Sequence, residues 1–127
     1  MNVLIVDDIA AIRKILRHRL QQIGLPLDQV HEAADGVEAL TCLNSNDVQL
    51  ILSDINMPVM DGLQLLRQLK NNPKWNDIPV IMVTTEGAQG KVMEAIGLGA
   101  AGYIRKPFTA GQMREKFETA GIIKASL

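Results

Sequence analysis

Val3-Leu4-Ile5-Val6-Asp7-Asp8 sets four consecutive apolar residues, three of them β-branched, directly before two adjacent carboxylates. A run this short, apolar at every position, reads as a strand buried on both faces, the kind found in parallel sheets. The two acids then fall at its carboxyl end, outside the core. The pattern recurs down the chain. Leu50-Ile51-Leu52-Ser53 runs into Asp54, and Val80-Ile81-Met82-Val83, opened by Pro79, runs into Thr84-Thr85. Ala101 to Lys106 is stopped by Pro107, and a weaker strand spans Val30 to Ala34.

Between these strands the apolar period lengthens to that of a helix. Ile12, Leu16, Leu20 and Ile23 recur at helical spacing, and Gly24 follows where a helix C-terminus favours glycine. Asp35 with Glu38, Asp61 with Gln64, and Thr109 with Gln112 each place a capping residue three positions before a Glu or Gln. The helices they open carry Val37, Leu40 and Leu43; then Leu65, Leu66 and Leu69; then Met113, Phe117 and Ala120. Gln89 to Leu98 reads as a helix with Val92 and Ile96 inward, weakened by Gly90 and Gly97. Strand and helix alternate five times, which predicts an α/β fold: a five-stranded parallel sheet built by right-handed crossovers, with helices on both faces.

The 127 residues suffice for about one domain, and residues 1–127 read as a single domain with no linker, repeat or output module. Thirteen basic and fourteen acidic side chains give a net charge of −1, which excludes a broad footprint for nucleic acid. The lone Cys42 forms no internal disulfide, as suits a reducing compartment. No apolar run approaches the roughly 20 residues that span a bilayer, and no basic segment precedes the first apolar run. A cytoplasmic protein is expected, with no nucleic-acid partner and no membrane partner. His18 and His31 read as a surface and a strand histidine.

In an open α/β sheet, ligands bind beyond the carboxyl ends of the strands. There the chain gathers Asp7, Asp8, Asp54, Thr84, Thr85 and Lys106. Three carboxylates in one crevice repel one another and call for a cation. An all-oxygen ligand set with room for water suits Mg²⁺, which also neutralises a transferring phosphoryl group. Lys106 supplies a point charge for a phosphoryl oxygen and Thr84 a hydroxyl donor. With Asp7 and Asp8 as the adjacent metal pair, Asp54 is left as the nucleophile that forms an aspartyl-phosphate.

These residues sit in four motifs: VDD at 6–8, SDINMPVMDG at 53–62, VTTEG at 83–87 and GYIRKPF at 102–108. From Val3 to about Phe117 the chain resembles the receiver domain of two-component response regulators, and most of all the single-domain chemotaxis regulators (CheY-like). The resemblance implies a flavodoxin-like, doubly wound sheet in the order 2-1-3-4-5. It also implies that a histidine kinase phosphorylates Asp54 with Mg²⁺ held by Asp7, Asp8, Asp54 and the backbone carbonyl of Asn56, Asp8 directly and Asp7 largely through water. Thr84 and Lys106 match the phosphoryl-contacting hydroxyl and lysine. Thr84 and Tyr103 match a coupled switch that reshapes the face of the fourth helix, fifth strand and fifth helix. Lys106-Pro107 matches a cis peptide. Thr85 stands where chemotaxis regulators often carry alanine, and its bulk is expected to shield the acyl phosphate from water.

The implied partners are a chemotaxis-type histidine kinase, a flagellar motor switch protein or a histidine phosphotransfer protein, and a phosphatase. Such a protein is a binding switch, with only accessory self-phosphorylation and self-dephosphorylation. A phosphorelay intermediate or phosphate sink stays open as its role. Two other classes fit less well. A Mg²⁺-dependent phosphohydrolase of the haloacid-dehalogenase type needs Asp-x-Asp after the first strand, where this chain has adjacent acids. A flavodoxin-like cofactor protein wants a phosphate loop where Asp7-Asp8-Ile9-Ala10 would repel one.

Overall fold

The apolar runs become the middle of one sheet. A computed structural model describes residues 1–85 and 89–123. The elements alternate as β1 (Asn2–Val6), α1 (Ala10–Gln22), β2 (Gln29–Ala33), α2 (Gly36–Ser45), β3 (Leu50–Asp54), α3 (Gly62–Lys70), β4 (Val80–Thr84), α4 (Gln89–Gly97), β5 (Gly102–Arg105) and α5 (Ala110–Thr119). All neighbouring strands are parallel, in the order β2-β1-β3-β4-β5. Glu86 and Gly87 of the VTTEG motif lie outside the described residues.

Because strand side chains alternate, each strand feeds two cores. Val3, Ile5, Leu50, Leu52, Ile81 and Val83 face Leu16 and Leu20 of α1 and Met113 and Phe117 of α5. Leu4, Val6, Ile51, Val80 and Met82 face α2, α3 and α4 on the other side. Among the described residues, no helix is long and apolar enough to cross a membrane.

The helix starts follow the sequence closely. Asp61 with Gln64 and Thr109 with Gln112 form full capping boxes. Asp35 accepts from the Glu38 amide, but Glu38 reaches back to the Ala34 amide instead of closing the box. Gly24 ends the turn after α1 at φ 74°, a conformation open to glycine.

Two inward faces differ from expectation. Val37 is 46 % exposed, and α2 buries Gly36, Ala39 and Leu43 instead. Ile96 is 42 % exposed, and α4 buries Val92 and Ala95. With so little apolar anchorage, α4 is also held by polar ties: Arg67 of α3 pairs with Glu94, and Lys91 donates to the Asn56 side-chain oxygen.

Candidate functional site

The sheet register aligns the strand ends. Val6 pairs with Ser53, Asp54 with Val83, and Thr84 with Arg105. The residues following these pairs therefore crowd one edge.

Asp7 is fully buried there, which a carboxylate tolerates only when its oxygens are partnered. Its Oδ1 accepts from the Ile9 amide at 2.9 Å, and its Oδ2 from Lys106 Nζ at 3.1 Å. Its amide donates to the Ala33 carbonyl at 3.0 Å, and its own carbonyl accepts from Arg13 Nη1 at 2.6 Å. Every polar atom of Asp7 is thus engaged. Asp8, next in the chain, is exposed.

Asp54 ends β3 with its side chain 15 % exposed. Oδ1 accepts from the Ile55 amide at 2.8 Å, while Oδ2 faces Lys106 Nζ at 3.8 Å. Burial pushes the Asp54 carboxyl above its ordinary value. Lys106 opposes that rise and Asp7 adds to it, with smaller effects from the Ile55 amide (lowering) and Asp8 (raising). The first turn of α3 presses on the same backbone. Gly62 donates to the Ile55 carbonyl at 2.8 Å, and a Cβ at Gly62 would meet the Asp54 carbonyl oxygen at 2.1 Å.

One carboxylate oxygen from each of Asp7, Asp8 and Asp54 lies within 4.8 Å of the others. These acids and Lys106 are brought together as the sequence predicts. Asn56 is in the loop just beyond, its side chain taken by Lys91. Thr84 is buried at the end of β4, and its hydroxyl donates to the Thr85 carbonyl at 3.3 Å. Among the described residues it makes no hydrogen bond to Asp54.

Tyr103 is half-buried on β5, with Lys116 Nζ 4.9 Å from its ring centroid. A groove of about 300 Å³ joins Thr84 and Thr85 to Tyr103, Val92, Met93 and Ile96. The Lys106-Pro107 peptide is cis.

The sequence reading did not single out Arg13, Glu32, Gly62 or Lys91. The i,i+4 pair Arg13 and Arg17 on α1, facing a lone acid in the β2 strand, was a usable sign for the first two.

Residues 3–118 match the family of the response regulator receiver domain. A chemotaxis protein CheY homolog of Campylobacter jejuni is 43 % identical over 119 residues, covering 93 % of this chain and 90 % of that protein. Chemotaxis protein CheY1 of Helicobacter pylori is 40 % identical, covering 93 % and 94 %. Among solved structures, the chemotaxis response regulator CheY4 of Vibrio cholerae superposes with a TM-score of 0.81 at 34 % identity, over 94 % of this chain and 97 % of that one. A sheet ordered 2-1-3-4-5, an acid cluster at its carboxyl edge and these matches agree: the chain belongs to the response regulator receiver domain family.

Proposed function

We propose that Asp54 carries a transient phosphoryl group and that the added charge selects between two shapes of a partner-binding face. The observation that carries this reading is Lys106 Nζ lying between Asp7 Oδ2 and Asp54 Oδ2 beside the three-acid cluster. Such a crevice holds one cation of its own and has oxygen donors for another.

The donor set fits a hard divalent ion, and Mg²⁺ is the member of that class that prefers few carboxylates and several waters. Asp7, Asp8, Asp54 and the Asn56 backbone carbonyl would hold it. Because both Asp7 oxygens already accept hydrogen bonds, Asp7 suits a contact through water. When bound, Mg²⁺ offsets the negative charge of the acids and of the incoming phosphoryl group.

The chain's own residues do the rest. The Asp54 carboxylate attacks phosphorus, forming an O–P bond as the P–N bond of a phosphohistidine breaks. The leaving imidazole keeps the electron pair and is protonated from solvent. Lys106 donates to a phosphoryl oxygen, and the Thr84 hydroxyl turns from the Thr85 carbonyl toward another. Hydrolysis later returns the Asp54 carboxylate and inorganic phosphate. Self-phosphorylation from a small phosphodonor uses the same residues.

The movement of Thr84 empties part of the groove it shares with Tyr103, and the Tyr103 ring fills that space. The exposed Met93 and Ile96 on the same groove supply apolar surface for a partner. A local charge works here only by biasing conformations already accessible. The output we propose is chemotaxis through a flagellar motor switch protein, in the cytoplasm and downstream of a histidine kinase. The names of the C. jejuni and H. pylori relatives support it.

The test is incubation with acetyl phosphate and Mg²⁺, with intact mass measured for wild type and Asp54→Asn. Wild type should gain one phosphoryl group and the variant none. A gain that persists in Asp54→Asn removes Asp54 from its role. If the phosphorylated protein passes phosphate to a histidine phosphotransfer protein, with unchanged affinity for a motor-switch peptide, the role is that of a phosphorelay intermediate.

A further inference from the structure

The bonds that fix Asp7 lead to a side chain outside the acid cluster. Arg13, in the first turn of α1, makes two bonds with one planar guanidinium: Nη1 donates to the Asp7 carbonyl at 2.6 Å and Nε to Glu32 Oε1 at 2.9 Å. Its side chain is 18 % exposed. Glu32, on the edge strand β2, is gripped from its other oxygen by Arg17 Nη2 at 2.7 Å. Arg17 Nη2 also donates to the Val30 carbonyl at 3.1 Å. The hydrogen bond from Arg17, aided by that from Arg13, holds the Glu32 carboxyl below its ordinary value against the opposing effect of burial.

The peptide group is planar, so a bond to the Asp7 carbonyl also orients the amide of Asp8 and the direction in which Asp8 leaves the strand. The other end of Asp7 is fixed by the Ala33 carbonyl. The Asp8 carboxylate itself makes no hydrogen bond or ion pair among the described residues, so its aim comes from the backbone.

We propose that Arg13 is a positioning residue for the divalent cation: with Glu32 and Arg17 steadying its guanidinium, it sets the Asp7–Asp8 peptide plane and thereby points Asp8 into the acid cluster. This rests on the function proposed above and extends its site by a layer. Outer contacts that orient metal ligands commonly matter about tenfold or more in affinity. Lysine does not replace arginine here, because a single ammonium lacks the rigid fork that spans a carbonyl and a carboxylate.

A charge effect and a positioning effect differ in sign. Removing a cation near a divalent site strengthens metal binding by Coulomb's law, whereas losing the aim of Asp8 weakens it. The experiment is calorimetric titration of Mg²⁺ into the unphosphorylated full chain, with exchange of the hydrogen-bonded amides of Asp7 and Ile9 followed in parallel. Arg13→Met is expected to bind Mg²⁺ about tenfold more weakly than wild type and to lose protection at those amides, with Arg13→Lys in between. Affinity in a folded Arg13→Met equal to or above wild type overturns the proposal. If Arg13→Met does not fold, the decision passes to Glu32→Ala, which removes the acceptor of Arg13 Nε and leaves the guanidinium in place. Wild-type affinity and wild-type exchange there also overturn the proposal. Wild-type protein that binds no Mg²⁺ sinks this inference and the function beneath it together; wild type that binds, with Arg13→Met unaltered, sinks this one alone.

Discussion

Lys106 stands nearer to Asp7 than to Asp54: its Nζ is 3.1 Å from Asp7 Oδ2 and 3.8 Å from Asp54 Oδ2. The lysine is therefore bonded to the fully buried acid and leans toward the mostly buried one. Lys106→Met would leave Asp7 Oδ2 buried without its donor, an effect of about 1–3 kcal/mol, visible as a lower urea midpoint at pH 7. Phosphorylation by acetyl phosphate should fall about a hundredfold, since a donor aimed at developing charge is lost. Unchanged rates would show that the lysine is only structural.

The Asp54 carboxyl supplies a pH signature. Its folded value is raised by burial above the unfolded one, so the folded state binds more protons across the interval between them. Stability from this group is then present at low pH and is lost as pH rises from the ordinary carboxylate value through the raised one. Asp54→Asn lacks that loss. Without Mg²⁺, the variant should be the more stable of the two at pH 7, with the difference shrinking as pH falls from the raised value to the ordinary carboxylate value and level below it. Parallel thermal melts across that range check it.

Gly62 carries no side chain because backbone occupies the space a side chain would need. A Cβ there would lie 2.1 Å from the Asp54 carbonyl oxygen and 2.9 Å from the Ile55 Cα, and neither can swing aside. Gly62→Ala is expected to destabilise by about 1–3 kcal/mol through overpacking and to slow phosphorylation by displacing Asp54. Gly36→Ala is the contrast. There the close neighbours are Cγ, Sδ and Cβ of Met60; Met60 must shift, but none of these atoms belongs to Asp54 or Ile55, so phosphorylation should stay near wild type.

Thr85 is exposed just after β4 and lines the groove shared with Tyr103 and Met93. It also lines a second groove containing Lys106, Pro107 and Phe108. It therefore borders Thr84 on one side and Lys106 on the other, the two residues proposed to contact the phosphoryl group. Thr85→Ala should shorten the lifetime of the aspartyl-phosphate a few-fold, measured by decay of the phosphorylated mass. Equal lifetimes would remove Thr85 from any shielding role.

The strands and the acid cluster were legible because burial on both faces leaves an unmistakable apolar run, and polar residues that end such runs must gather at one edge. The capping pairs were legible because their chemistry is local. Helix rotation was harder. Val37, Leu40 and Leu43 are spaced three and three, so their directions drift by about 60° at each step. The face that packs is Gly36, Ala39 and Leu43, spaced three and four, where small residues allow close approach. In α4 the same preference for a large side chain pointed to Ile96 where Ala95 is the buried one. Arg13 escaped notice because its role passes through a backbone carbonyl, and no residue type marks that bond in a sequence.

The seat of α4 has a consequence for the conditions in which the molecule works. Two side chains, Val92 and Ala95, are its buried apolar contribution, and the Arg67–Glu94 and Lys91–Asn56 ties that help to hold it are exposed. Exposed pairs weaken as dissolved electrolyte thickens, whereas the apolar seams under the other helices do not. This one helix therefore takes its firmness partly from the surrounding medium, and a dilute buffer would portray the molecule as stiffer along that flank than a concentrated one does.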